Sequence, residues 1–215
     1  MQKIVIYGAG GHALVVADAI RASGNHVLGF VDDISPERKG SALYGVSILG
    51  GHEDLVQLTR KQSLEVALGF GNCHARERLV FRLREQGFNL STVIHPDSTI
   101  SPSACVSSGA YIGPRAIVEA SCRIGVGVII NCGSEVCHEA VVGDYSAICP
   151  GVHIGGKSRI GERVWVGIGS TIIDKIQIAD GCYIGAGSVV VRSIPENTKS
   201  YGVPSRIIGE SSRAF

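Results

Sequence analysis

At 215 residues the chain has room for one or two domains. Its 20 basic and 19 acidic side chains nearly cancel, which excludes the one-sided charge of a nucleic-acid or anionic-membrane binder and leaves small molecules or further copies of itself as partners. No basic segment leads into an apolar stretch at the start and no apolar run approaches ~18 residues, so neither export nor membrane insertion is expected and the chain reads as cytoplasmic.

In chain order, the β-branched run Lys3-Ile4-Val5-Ile6-Tyr7 predicts a strand. It ends in Gly8-Ala9-Gly10-Gly11-His12-Ala13, after which Leu14, Val15, Val16, Ala17 and Ile20 keep helical spacing as far as Gly24. A second strand, His26 to Val31, ends in Asp32-Asp33. A third, Val66 to Phe70, ends in Gly71-Asn72 before a charged helix from about His74 to Gln86. Strands alternating with helices imply a parallel sheet of Rossmann type. Backbone N–H groups of the glycine turn, at the positive end of a helix dipole, suit a phosphate. The spacing Gly8-x-Gly10-x-x-Ala13 also fits a dinucleotide fingerprint, and a purely structural turn is the plain alternative. Fewer than about 95 residues make up this region, enough for one mononucleotide-binding half and too few for a full dinucleotide fold. Gly87 to Val93 is either the last strand of this domain or the first stretch of the second half, and His95-Pro96 marks the junction. No flexible linker intervenes, so the two halves are expected to hold a fixed relation.

From Ile94 to Val190 an Ile or Val recurs at every sixth residue without a slip. Neither a helix nor an ordinary strand has that period, whereas a parallel coil of short strands does. Two positions earlier, Ala104, Ala110, Ala116, Cys122, Ser134, Ala140, Ser146, Ser158, Ser170, Cys182 and Ser188 are small, and both positions are expected to face a narrow interior. Gly follows the aliphatic at 113, 125, 143, 155, 161, 167 and 185, where a tight corner is expected. By register Trp165 points outward, which suggests a subunit contact. The seven cysteines (Cys73, Cys105, Cys122, Cys132, Cys137, Cys149 and Cys182) form no C-x-x-C pair and read as reduced thiols.

Within the coil, Cys137-His138-Glu139 is the best catalytic candidate. His138 falls just past a corner, free to point outward, and an imidazole with an adjacent carboxylate is what a general base requires. A solvated corner pair is the alternative. A Cys137–His138 nucleophilic dyad is disfavoured because neighbours in a strand point to opposite sides. His153 and the cysteines show no metal-ligand spacing.

These repeats resemble the hexapeptide repeats of left-handed β-helix acyltransferases. With Gly8-Ala9-Gly10-Gly11-His12, Asp32-Asp33 and Gly71-Asn72 ahead of them, the whole chain resembles the NeuD/PglD-type sugar acetyltransferases. The resemblance implies a nucleotide-sugar-binding domain over residues 1–93 and a left-handed β-helix acetyltransferase domain with a C-terminal tail over 94–215. It implies that Gly8, Gly10, Gly11 and His12 cradle the diphosphate of the sugar donor, that Asp32 and Asp33 approach its base or ribose, and that Gly71 and Asn72 join them. His12 has a second reading as a polar residue at a helix start. The resemblance makes His138 the base and Glu139 its partner, acting on acetyl-CoA and a nucleotide-linked amino-sugar by direct attack, with no metal. Gly155-Gly156 offers an oxyanion donor at Gly156, and the glycine-rich coils around Ile168 and Ala186 let a pantetheine arm lie close to backbone. Tyr201-Gly202-Val203-Pro204-Ser205-Arg206 resembles the ending of hexapeptide acetyltransferases, which implies CoA phosphates as partners of Arg206 and Lys199; a solvated basic tail is the alternative. Where some relatives carry a second histidine this chain has Ala147. The family also implies homotrimers with sites between subunits, and surface-polysaccharide biosynthesis. A sialic-acid-type O-acetyltransferase and a non-catalytic nucleotide-sugar-binding protein are the alternatives.

Overall fold

A computed structural model describes residues 2–60 and 63–211; of the spans 1–93 and 94–215, residues 1, 61, 62 and 212–215 lie outside the described residues. The small domain is a sheet in the order β3-β4-β2-β1-β5, formed by β1 (Lys3–Tyr7), β2 (His26–Val31), β3 (Ala42–Leu43), β4 (Val46–Gly50) and β5 (Glu65–Leu68). All neighbours are parallel except the edge strand β3, which forms an antiparallel hairpin with β4. Helices α1 (Gly11–Ala22), α2 (His52–Thr59) and α3 (Cys73–Glu85) complete it. β5 stops at Leu68 rather than Phe70. At Gly69 the chain presses on β1, and a Cβ there would sit 2.6 Å from Ile6. Strand order reverses between β1 and β5, which places a crevice at their carboxyl ends.

Seventeen two-residue strands, from Val93–Ile94 to Val189–Val190, then wind into a coil of three parallel faces. Each strand as far as Thr171–Ile172 pairs with the one eighteen residues on, as Ile117 with Glu135 and Glu135 with His153. The first face begins at Val93–Ile94, the second at Thr99–Ile100 and the third at Cys105–Val106. Every sixth-position aliphatic from Ile112 to Val190 is buried. Ile94 is exposed and Ile100 and Val106 only partly buried, because no coil stacks on the first turn. The serines at 134, 146, 158 and 170 are buried without penalty, since their hydroxyls donate to carbonyls fifteen residues on: Ser134 to Cys149 at 2.8 Å, Ser146 to Gly161 at 2.7 Å, Ser158 to Ile173 at 2.9 Å and Ser170 to Gly185 at 2.9 Å.

The corner differs from the sequence expectation. Left-handed backbone falls three residues after the aliphatic, at Arg115, Ser121, Gly127, Gly133, Glu139, Tyr145, Gly151, Lys157, Arg163, Gly169, Lys175, Gly181 and Gly187. The glycine immediately after the aliphatic has no such conformation. It is glycine because the next coil passes too close: a Cβ on Gly143 would lie 2.6 Å from the backbone of Gly161, and one on Gly113 2.8 Å from the amide of Cys132.

The small domain packs on the outer surface of the first face. Tyr111, Ile129 and Ala147 are buried there against residues that include Ala9 and Ala13. Trp165, expected at a subunit contact, is instead turned to this internal junction, with its indole ring 3.6 Å from where a Cβ of Gly71 would be. Segment 87–94 serves both halves, since Leu90 bridges to Val66 and Val93–Ile94 pairs with Tyr111–Ile112. Arg76 of α3, fully buried, ties them. Its guanidinium donates to the carbonyls of Phe70 and Gly71 in its own domain and to those of Gly127 (2.9 Å), Tyr145 and Ser146 (3.2 Å) on the edge between the third and first faces. Arg163 reaches back from that edge to Glu77 at 2.7 Å.

The two kinds of corner glycine separate by mutation. Gly143→Ala drives a methyl into backbone and is expected to cost about 2–3 kcal/mol of unfolding free energy. Gly133→Ala meets open space and carries only a left-handed penalty of about 1 kcal/mol. Urea denaturation of the two variants checks the order.

Candidate active site

His138 stands on the edge between the second and third faces, two residues past the buried Val136. Its side chain is 55% exposed. Three groups hold it. Its backbone N–H donates to Glu119 Oε2 at 2.7 Å, its Nδ1 lies 3.2 Å from Glu139 Oε1, and Gly156 in the next coil leaves room for the ring. A Cβ on Gly156 would be 2.7 Å from Nε2. Glu139 occupies the left-handed corner position, φ 60°, which lets adjacent side chains turn toward each other as they cannot in a strand. Its carboxyl is held below the usual range by the bond to His138 and by Lys157, 3.5 Å away. With Nδ1–H directed to Glu139, Nε2 is the nitrogen left to take a proton.

Cys137 is no nucleophile here. Burial, followed by the charges of Glu135 and Glu119, pushes its thiol up to about 11. Glu119, Glu135 and Cys137 bring one ligand atom each within 4.8 Å of one another. Glu119 accepts from the amide of His138, and Glu135 lies 3.2 Å from His153 Nδ1.

The other acetyl-CoA candidates are distributed around the prism. The amide of Gly156, expected to face an oxyanion, donates to Asp174 Oδ1 at 2.8 Å, and that of Gly155 to Ile172. Gly156 therefore shapes the seat of the imidazole rather than offering a spare N–H. Ile168 and Ala186 are exposed and stacked one coil apart on the edge between the first and second faces, a different edge from that of His138. Arg206 lies on the hairpin of β23 (Thr198–Gly202) and β24 (Ser205–Glu210) that closes the coil, numbering the coil strands β6 to β22. Lys199 sits 5.5 and 5.2 Å from the ring centres of Tyr183 and Tyr201.

In the small domain, Gly8, Asp32, Asp33 and Asn72 come together in a cleft of about 600 Å³ at the carboxyl ends of β1, β2 and β5. Its walls add Tyr7, Ile34, Phe70, Arg78, Leu79 and Arg82, none of which the sequence motifs mark. Gly8 must be glycine, with φ +113° and with Gly69 O only 3.0 Å from where a Cβ would stand. Asp33 accepts from Tyr7 Oη at 2.5 Å and from the amide of His52 at 2.7 Å, and lies 3.5 Å from Arg82. Asp32 accepts from Ile34 N and pairs with Arg38 at 3.3 Å. Asn72 Oδ1 caps α3 through Ala75 N at 2.8 Å, a role legible from an Asn at a helix start. Gly71 is outside the cleft wall, at the junction with the coil. Gly10 and Gly11 open α1, which has no side-chain cap, and have open space where a side chain would be. His12 is turned inward, its ring edge-on to Tyr111 at 5.2 Å, and both His12 Nε2 and Tyr111 Oη are buried without a hydrogen-bond partner.

Residues 3–83 match the PglD N-terminal domain family and residues 157–192 the bacterial transferase hexapeptide (six repeats) family. Among solved structures, a perosamine N-acetyltransferase variant from Caulobacter crescentus, in complex with CoA and GDP-perosamine, is 33% identical, with a TM-score of 0.91 over 98% of both chains. The acetyltransferase domain of PglB from Neisseria gonorrhoeae FA1090, in complex with acetyl coenzyme A, is 31% identical, with a TM-score of 0.88 over 96% of this chain and 99% of that one. WeeI from Acinetobacter baumannii AYE is 25% identical, with a TM-score of 0.83 over 97% and 100%. Among curated proteins, the serine acetyltransferase of Escherichia coli K12 is 46% identical over 44 residues, 20% of this chain and 16% of that protein. The fold is thus a Rossmann-like α/β domain followed by a left-handed parallel β-helix.

Burial, then the Arg76 guanidinium, pushes the His12 imidazole down to about 4. Its folded value lies below its unfolded one, so its contribution is complete above about pH 6.5 and is lost as pH falls toward 4, a total of about 3 kcal/mol. Urea titrations from pH 7 to 4.5 are expected to show a shallower decline in His12→Asn than in the parent; parallel declines would contradict the assignment.

Proposed function

The chain belongs to the family of sugar N-acetyltransferases that join a PglD-type N-terminal domain to hexapeptide repeats, and on that premise we propose that it transfers the acetyl group of acetyl-CoA to the amine of a nucleotide-linked amino-sugar. The observation that carries the reading is the exposed His138 imidazole, with Glu139 on Nδ1 and Nε2 left free over Gly156. The amine attacks the thioester carbonyl and its proton passes to Nε2. As the tetrahedral adduct collapses the C–S bond breaks, and the imidazolium returns the proton to the departing thiolate. Glu139 fixes the tautomer and stabilises the imidazolium. No covalent acyl-enzyme is needed, in keeping with the burial that pushes the Cys137 thiol up.

The nucleotide occupies the 600 Å³ cleft. Tyr7, Phe70 and Leu79 offer faces to a base, Arg78 and Arg82 offer charge to phosphates, and the uncapped start of α1 with Gly10 and Gly11 adds backbone donors. The acceptor is a 4-amino-4,6-dideoxy sugar on UDP, GDP or dTDP, made for a surface polysaccharide in the cytoplasm. The small domain covers the first face and clamps the edge between the third and first faces, whereas His138 is on the edge between the second and third. Cleft and base therefore meet between neighbouring subunits, and a homotrimer is the assembly that supplies this. Among the described residues no helix is long and apolar enough to cross a membrane.

Incubation with acetyl-CoA and a panel of UDP-, GDP- and dTDP-linked amino-sugars, beside free sialic acid, reads the activity as thiol release. Turnover is expected only with a nucleotide-linked amine, and His138→Ala is expected to lower kcat by roughly 10²–10⁴-fold. Turnover with sialic acid alone, or an unimpaired His138→Ala variant, would overturn the reading.

A further inference from the structure

His52, the first residue of α2, is only 3% exposed and lies behind the wall of the nucleotide cleft rather than on it. It holds the cleft residue Asp33 in two ways. Its backbone N–H donates to Asp33 Oδ1 at 2.7 Å, and its ring reaches back to Tyr7, whose hydroxyl donates to Asp33 Oδ2 at 2.5 Å. The carboxylate thus stands at the start of α2, where the helix dipole favours a negative charge. Residue 51 has to be glycine there, since a Cβ would sit 2.8 Å from Oδ1. The Asp33 side chain is still 41% exposed, on the side of the cleft.

This network has more acceptors than protons. His52 Nε2 lies 2.7 Å from Gln86 Oε1, which can only accept, so in the neutral ring Nε2 carries the proton and Nδ1 the lone pair. Nδ1 faces Tyr7 Oη at 3.2 Å. Burial, then the bond to Asp33, pushes the Tyr7 phenol well above its ordinary range, so it remains a hydroxyl with one proton. That proton has two acceptors, Asp33 Oδ2 and His52 Nδ1, and the shorter contact gives it to Asp33. Nδ1 is then a buried acceptor without a donor, an unfavourable state that a ligand can relieve.

We infer that Tyr7 and His52 form a donor-exchange pair behind Asp33: an O–H or N–H of the bound nucleoside donates to Asp33, and the Tyr7 hydroxyl turns its proton to His52 Nδ1. Only hydrogen bonds are exchanged, and every proton stays on its own atom. His52 touches no ligand and is a positioning residue that acts through Tyr7. The inference rests on the nucleotide-sugar reading and deepens it, because a ligand without a donor for Asp33 leaves Nδ1 empty and is selected against.

Calorimetric titration of the full-length protein with UDP, GDP and dTDP, without sugar or CoA, reads nucleotide binding alone. His52→Gln can keep the bond to Gln86 but has no acceptor at the place of Nδ1, whereas His52→Asn puts an amide oxygen there. His52→Gln is expected to bind the preferred nucleotide roughly 5-fold or more weakly, and His52→Asn within about 2-fold of the parent. In a Tyr7→Phe background, which has no proton to pass, the two substitutions should differ by less than about 2-fold. The 2′-deoxy, 3′-deoxy and base-N-methylated forms of the nucleotide assign the donor: the form that erases the difference between parent and His52→Gln lacks it, and a difference that survives in all of them would overturn the inference. Histidine ¹⁵N spectra of the parent need no variant to fold. Nδ1 of His52 should be unprotonated in the free protein at about pH 7.5 and shift on nucleotide addition as its lone pair accepts a bond. A protonated Nδ1 in the free protein, an unchanged resonance at saturation, or equal affinities in parent and folded His52→Gln would each contradict the exchange. A parent that binds none of the three nucleotides would overturn it together with the nucleotide-sugar reading.

Discussion

One geometric constraint governs the C-terminal half: an aliphatic side chain at every sixth residue has only the coil axis to enter. Once Ile112 to Val190 are committed to that axis, each neighbour's place is set. The residue two before shares the interior, the one immediately before faces out from a flat side, and the three after the aliphatic turn a corner. Small residues in the second interior position keep the prism narrow, and where they are serines a carbonyl of the next coil satisfies them. Rungs so close leave no space for a Cβ just past the aliphatic, so glycine gathers there, while the left-handed strain falls two residues later on side chains that reach solvent. The candidate base stands one residue before such a position, and its carboxylate partner at the strained position itself.

A buried cation joins the other half to this frame. Among the described residues Arg76 forms no ion pair with a carboxylate; it is surrounded by backbone carbonyls of both domains, and those of Gly127, Tyr145 and Ser146 reach it only when the domains are docked. Taking a guanidinium from water is costly unless its N–H groups are met. The arrangement is therefore stable in one relative position, which fixes the cleft over the edge between the third and first faces. Trp165, packed on Gly71, and the Arg163–Glu77 pair reinforce that position. A consequence is a fixed distance around the prism between the cleft and the chain's own His138.

Much of this is legible in the residues because the repeat is a strict six and never slips, so the outward direction of Trp165 and the corner position of His138 can be counted. What covers an outward residue cannot be counted, and Trp165 therefore reads as a subunit contact when the small domain is its neighbour. Arg76 lies in a helix whose pattern is dominated by charge, and no local signal separates the one charged residue that is buried from those in solvent. β3, β4 and α2 carry no strong periodicity: two strands of two and five residues and a helix of eight are too short for it. Of the motif residues, Gly8, Asp32, Asp33 and Asn72 line one cleft, but much of their bonding is internal, to Tyr7, Ile34, His52 and Ala75. The groups left to meet a ligand, Arg78 and Arg82 among them, sit on α3 one turn apart and look in sequence like any solvated helix face.

The central claim is that base and nucleotide cleft, held on different sides of each prism, work together only across two chains. Complementation tests it most directly. A His138→Ala chain and an Arg78→Glu/Arg82→Glu chain, differently tagged, are co-expressed and the doubly tagged assemblies are purified. The account predicts acetyl transfer well above that of either variant alone, because an intact imidazole from one chain faces an intact cleft from the other; mixed assemblies no more active than their parents would contradict it.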